Sequence, residues 1–281
     1  MQHRRERRRP EGAGAWLCVA AAVVLAVLMF GTPLAVVFGH AFSKGAAAWW
    51  QVVSARETLS AIGLTLLTLV VCVPLSALFG LAAAWALTKF RWRGKTVLVS
   101  LIELPFSVSP IVAGVACLLV YGASSPLGAY LQDHNIPVMF AVPGILLAVL
   151  FVVSPFIARE LLPLMRLHGT DDEEAAIILG AGGLRTFLRV TLPNIRWALL
   201  YGVILCAARV LGEFGAVSVV SGHIRGETNT LPLYIDLLFH DYDNTGSFAV
   251  ASILTSLAVV TLAAKAIVER QIDRARRSAT E

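Results

Sequence analysis

Residues 170–193 read TDDEEAAIILGAGGLRTFLRVTLP. Four consecutive acids behind a threonine mark the start of a helix at Asp171. Thr170 and Glu173 have the spacing of a capping box, and the carboxylates complement the positive end of the helix. Ala175, Ala176 and Gly180 put small residues on adjacent turns, where another backbone or a partner's side chains can come close. Gly182 and Gly183 are expected to stop this helix. A second begins near Leu184, with Leu184, Phe187 and Leu188 on one face and Arg185 and Arg189 as an exposed pair four apart. Leu192 and Pro193 are then expected to turn the chain onward. The product is a bent pair of short helices with a compact elbow. An ordinary helical hairpin without a partner fits the same residues, so the surroundings must decide.

Those surroundings are apolar. Of the 281 residues, 57% are hydrophobic and 15% charged, against roughly 25% charged in an average globular protein. With a mean hydropathy of +0.76, the excess apolar surface must face lipid as well as itself. Six runs are long enough to cross a hydrocarbon layer about 30 Å thick: residues 15–38, 60–87, 97–121, 138–158, 197–220 and 248–268. The fold class is therefore an all-α membrane protein, a six-helix bundle forming one transmembrane domain over residues 1–281. The elbow belongs to its longest charged connection, residues 159–196, which is too short for a domain of its own. It must act by docking.

Lys and Arg set the orientation. Nineteen lie in the amino terminus, the second-to-third connection, the fourth-to-fifth connection and the carboxyl end; three (Lys44, Arg56, Arg225) lie on the other face. Both termini and the elbow are thus expected in the cytoplasm. The first run has the basic flank of a signal peptide, but its core exceeds the roughly 7 to 15 residues of such a segment, so it is read as a retained anchor. The net charge of +5 is a topology signal and implies no nucleic acid. Cys18, Cys72, Cys117 and Cys206 fall singly in apolar runs, which indicates neither a disulfide framework nor a metal site.

Glu174, Ala175, Ala176, Gly180, Val190, Leu192 and Pro193 resemble the EAA loop of ATP-binding-cassette (ABC) importer permeases, with Val190 where the pattern more often has Ile. Residues 104–114 (LPFSVSPIVAG), 192–202 (LPNIRWALLYG), 212–222 (GEFGAVSVVSG) and 225–231 (RGETNTL) extend the likeness over nearly the whole chain. They are similar to the sulfate/thiosulfate permeases of the CysW type. Molybdate and tungstate permeases share the Gly-Glu-Phe-Gly stretch and remain the alternative. The resemblance implies a type I importer permease in the inner (cytoplasmic) membrane, not itself an enzyme, whose loop is the coupling helix. It further implies a second permease of the T type, two ATP-binding subunits and a periplasmic sulfate-binding protein. No cofactor is expected in this chain; ATP and magnesium belong to the ATPase.

Within the membrane, Arg209 and Glu213 stand one turn apart near mid-depth, where each charge costs about 2.5 to 3.5 kcal/mol. They either form a buried pair that fixes helix rotation or make Arg209 a transient donor to an oxyanion. Pro105 and Pro110 each leave a carbonyl without its helical donor, so the third span is expected to be kinked or locally unwound and is a candidate lining of the pathway. Glu103 is read as a snorkelling partner of Arg91 or Lys95. Outside, Leu231, Leu233, Ile235, Leu237, Leu238 and Phe239 form an apolar stretch, either a docking surface for the binding protein or a loop folded back on the bundle.

Three further motifs are set aside. Gly94-Lys95-Thr96 imitates the end of a Walker A loop but has Lys89 at the required first glycine. Asp241, Asp243 and Gly246 imitate a calcium loop, yet Ser252 holds the position of its bidentate carboxylate. Gly122-Ala123-Ser124 resembles an intramembrane serine protease motif, but no histidine lies inside a later span to activate the serine.

Overall fold

The computed structural model describes residues 13–90 and 92–278. The amino-terminal arginines and Arg91 lie outside them. Among the described residues the chain is helical, with no strand.

The first span is α1 (Ala13–Ala26) and α2 (Thr32–Ala41), joined through a π-helical stretch at Val27–Gly31. A short α3 (Ala46–Val53) leads to α4 (Arg56–Lys89). With 34 residues, α4 is about 51 Å long and overshoots the hydrocarbon at both ends. Next come α5 (Lys95–Ser107), α6 (Pro110–Tyr121), the short α7 (Pro126–Asp133) and α8 (Val142–His168). The elbow is α9 (Asp171–Ile178) and α10 (Gly183–Thr186). The chain continues through a π-helical stretch at Phe187–Thr191 into α11 (Leu192–Leu211), then α12 (Gly215–Val220), α13 (Leu231–His240) and α14 (Asn244–Ser278).

The buried core lies where α8 packs between α4 and α11. Ile145, Val149, Val152, Ile157, Leu161 and Met165 form a stripe along α8 at helical spacing. Several buried hydroxyls inside the bundle are paired, as a membrane interior favours, although Ser76 Oγ and Thr230 Oγ1 have no partner. Thr65 Oγ1, for example, donates to Ala61 O and accepts the Leu231 N–H, both at 2.8 Å.

Among the described residues, five helical stretches are long and apolar enough to cross a membrane, or six if α5 and α6 count together as one span. Those two are bent by 113°, so residues 97–121 are not one kinked helix. Ser109 precedes Pro110, and that position is pushed out of the helical region; its φ/ψ are −59°/138°. Residues 197–220 are also not one helix, because α11 stops at Leu211 and α12 begins at Gly215. The fourth span starts later and runs ten residues further than residues 138–158, with α8 reaching His168.

The two breaks adjoin. A Cβ on Gly114 of α6 would stand 2.8 Å from Ala216 O, and one on Gly215 would stand 3.1 Å from Pro110 Cβ. At Gly114 a larger residue would force α6 away from α12, and at Gly215 it would make a tight contact.

The connections sort to two ends of the bundle. At one, Ser60 donates to Gly226 O, and Tyr234 Oη donates to Glu57 Oε2 at 3.1 Å. Phe140 N–H donates to Val220 O at 2.9 Å. Burial, and then the Glu57 carboxylate, push the Tyr234 phenol above its ordinary range. At the other end, Lys89 meets the chain between α8 and α9. The apolar stretch of α13 is largely folded back, with Leu231, Leu233 and Leu238 buried. Ile235 and Leu237 are half-buried and Phe239 is the member left most open, which fits a stretch folded back on the bundle.

Candidate functional site

The elbow differs from its expected form in three ways. First, α9 ends before Gly182. Gly180 has φ +85°, the Ala181 N–H reaches Ala176 O at 3.0 Å, and the Gly180 N–H reaches Ile177 O at 2.9 Å. This is a Schellman motif with glycine at its left-handed position, so the stop lies two residues earlier. A Cβ added at Gly180 would meet nothing within 4 Å in this chain; the backbone angle explains the glycine here.

Second, no capping box forms. Thr170 makes no side-chain cap and instead donates from Oγ1 to Glu174 Oε1 at 2.7 Å. Glu173 turns away from its own helix terminus: Oε2 lies 2.6 Å from Lys89 Nζ and Oε1 accepts from Thr191 Oγ1 at 2.7 Å. A cation and a hydroxyl from outside the helix outcompete one backbone N–H, since charge-assisted bonds are the stronger ones. Third, Leu192 and Pro193 make no turn. Leu192 is helical, with φ/ψ of −62°/−44°, and Pro193 sits where α11 follows the π stretch. The extra residue of that stretch accommodates the proline without breaking the rod.

What the elbow presents is apolar and bare. No residue of α9 is buried; Ile178 and Leu179 are 85% and 87% exposed, and Ile177, Leu184 and Leu188 are also exposed. Glu174 and Ala175 are exposed beside them, while Ala176, Val190 and Leu192 are half-buried. Phe187 turns inward against Trp85 of α4, with ring centroids 5.6 Å apart.

At mid-chain, Arg209 and Glu213 do pair, Nη2 to Oε2 at 2.8 Å. Glu213 is not inside a continuous helix but in the break between α11 and α12. Its side chain is 1% exposed, and Oε1 accepts the Ala216 N–H at 2.9 Å, capping the first turn of α12. Arg209 remains half-open in the last turn of α11. Pro110 begins α6 and Pro105 lies inside α5. Glu103 is exposed and makes no ion pair with Lys95 among the described residues.

Residues 76–274 match the family model for the binding-protein-dependent transport system inner membrane component. The chain belongs to that family. It is a multi-pass inner-membrane permease subunit of an ABC importer. The permease is 45% identical over 280 residues to the sulfate transport system permease protein CysW of Escherichia coli K12, covering 100% of this chain and 96% of that one. It is 32% identical over 249 residues to the sulfate transport system permease protein CysT of Salmonella typhimurium, covering 89% and 90%. Its fold matches the crystal structure of a bacterial ABC transporter involved in the import of the acidic polysaccharide alginate. The TM-score is 0.74 at 16% identity, over 92% of this chain and 96% of that chain.

Sequence reasoning missed Lys89, Glu173 and Thr191 as a constellation in this permease. Lys89 looked like one of the topology charges and Glu173 like a capping residue. A lysine ending a long helix, together with one more acid than a helix start needs, was the only signal.

Proposed function

We propose that this chain is one of two permease subunits that line the pathway of an ATP-driven importer of sulfate and thiosulfate. Its partners in this reading are a T-type permease, two ATP-binding subunits and a periplasmic sulfate-binding protein. Supporting it is the 45% identity over the full chain to a sulfate transport system permease. The 32% identity to a T-type protein fits a heterodimer of two related halves.

The elbow is the coupling element, through Glu174, Ala175, Ala176 and Gly180 with Val190, Leu192 and Pro193 behind them. The observation that carries this role is the bare apolar surface of α9 and α10. Ile178 and Leu179 lie beside four acids on a helix that buries nothing of its own, and such a surface in water calls for a partner. The partner ATPase supplies the energy of nucleotide binding and hydrolysis, and the elbow conveys the resulting displacement to the bundle. The termini and the elbow share the cytoplasmic face, in line with the charge count.

The test is reconstitution of this chain with its partner permease, ATPase and binding protein in vesicles. ATP-dependent uptake of sulfate, unaffected by excess molybdate, is the expected result; uptake of molybdate alone would move the substrate to the alternative. Reporter fusions after Lys95 and Arg189 should report cytoplasm, and those after Lys44, Asp133 and Arg225 periplasm. A periplasmic signal after Arg189 ends the coupling assignment.

A further inference from the structure

We propose that Glu173 and Lys89 form the mechanical joint of the importer, as positioning residues that carry displacement of the docking helix into the second and fifth spans. The inference rests on the coupling role of the elbow and adds the route by which motion leaves it.

α9 has no buried residue, so apolar packing does not fix it to the bundle. What does fix it is polar and concentrated on one turn. Glu173 Oε2 lies 2.6 Å from Lys89 Nζ at the end of α4. Its Oε1 accepts from Thr191 Oγ1, in the π-helical root of α11, at 2.7 Å. One carboxylate thus bridges two membrane helices that are far apart in sequence. Asp172 adds a weaker link, accepting from Asn194 Nδ2 at 3.2 Å. Lys89 also donates to Gly169 O in the two-residue link between α8 and α9. The same cation therefore gathers the ends of α4 and α8 and the start of α9.

The joint is sheltered. Lys89 and Glu173 side chains are 10% and 15% exposed, and Thr191 is buried. Surface ion pairs are loosely held and screened by salt, but a pair this enclosed holds one geometry. One turn before Lys89 on α4, Trp85 contacts Phe187 of the π stretch, so α4 grips both arms of the elbow. Glu174, by contrast, is exposed on the outer side. Neighbouring glutamates thus divide two tasks: Glu174 faces the ATPase and Glu173 faces the bundle.

The test uses the full complex in vesicles and scores two quantities, ATPase retained per complex and sulfate moved per ATP hydrolysed. Ile178→Asp, on the bare face, is expected to lose the ATPase; if the ATPase stays bound, the coupling role of the elbow falls, and the joint with it. Glu173→Gln and Lys89→Met are expected to keep the ATPase bound while sulfate per ATP drops at least tenfold. Lys89→Arg should stay within twofold of the parent. Thr191→Val, close in shape and lacking only the hydroxyl, should fold normally and fall between them. The joint is refuted if Glu173→Gln and Lys89→Met keep the parent ratio. It is equally refuted if they lose ATPase in proportion to uptake, the behaviour of a residue that merely supports the docking helix.

Discussion

α9 and α13 are both short helices with apolar residues, and they lie at opposite ends of α4. α13 is covered by its own chain: Leu231, Tyr234 and Leu238 are buried against α4 and α14, and Leu233 is buried in the main core. α9 is covered by nothing of its own. The difference separates a helix that completes a core from one whose apolar residues this chain leaves uncovered. It also shows why apolar content alone did not distinguish them. Burial depends on what the rest of the chain brings alongside, and that is not written in ten residues.

The largest expected effect falls on the self-covered side. Leu233→Ala should lower stability by about 2 to 5 kcal/mol, because it empties a filled site; thermal unfolding of the purified chain in detergent measures it. An equal loss from Ile178→Ala would break the contrast between the two helices.

Arg209→Met should come next, at about 3 kcal/mol, since it strands the enclosed Glu213 carboxylate. Arg209→Met combined with Glu213→Gln should recover most of that stability, because the glutamine oxygen can still cap Ala216. Uptake by the double variant then distinguishes the two roles of Arg209. Recovery of transport marks a structural pair, whereas stable complexes that move sulfate slowly mark a contact with the anion.

A third variant sharpens the reading of the elbow. With φ at +85°, Gly180→Ala should cost about 1 to 2 kcal/mol of local helix-end stability. Gly180→Asn should cost less, because asparagine tolerates that region. If close approach of a partner is what demands glycine, the order in transport assays reverses and alanine is the better replacement. Gly180→Asp should abolish transport while leaving membrane insertion intact.

The smallest change in stability belongs to Ile178→Ala, expected within about 0.5 kcal/mol of the parent. Its ATPase affinity should nonetheless fall measurably in a pull-down titration.

Much of the architecture was legible because lipid imposes a simple rule on it. Long apolar runs become spans, and Pro105 and Pro110 announced trouble in the third. The break at residues 212–214 gave no such warning, because a glutamate side chain replaces the lost helical bond and no proline marks it. The acids of the elbow were readable as the start of a helix at Asp171. The partner of Glu173 was not, since Lys89 lies far upstream and a capping box would use the same letters. Periodicity reports what a residue's own helix needs, and is silent about ion pairs made through the fold.

Gly114 and Gly215 remove a degree of freedom. An added Cβ on Gly114 would stand 2.8 Å from the Ala216 carbonyl oxygen and one on Gly215 would stand 3.1 Å from Pro110 Cβ, so sliding of α6 along α12 runs into backbone at one contact and a proline ring at the other.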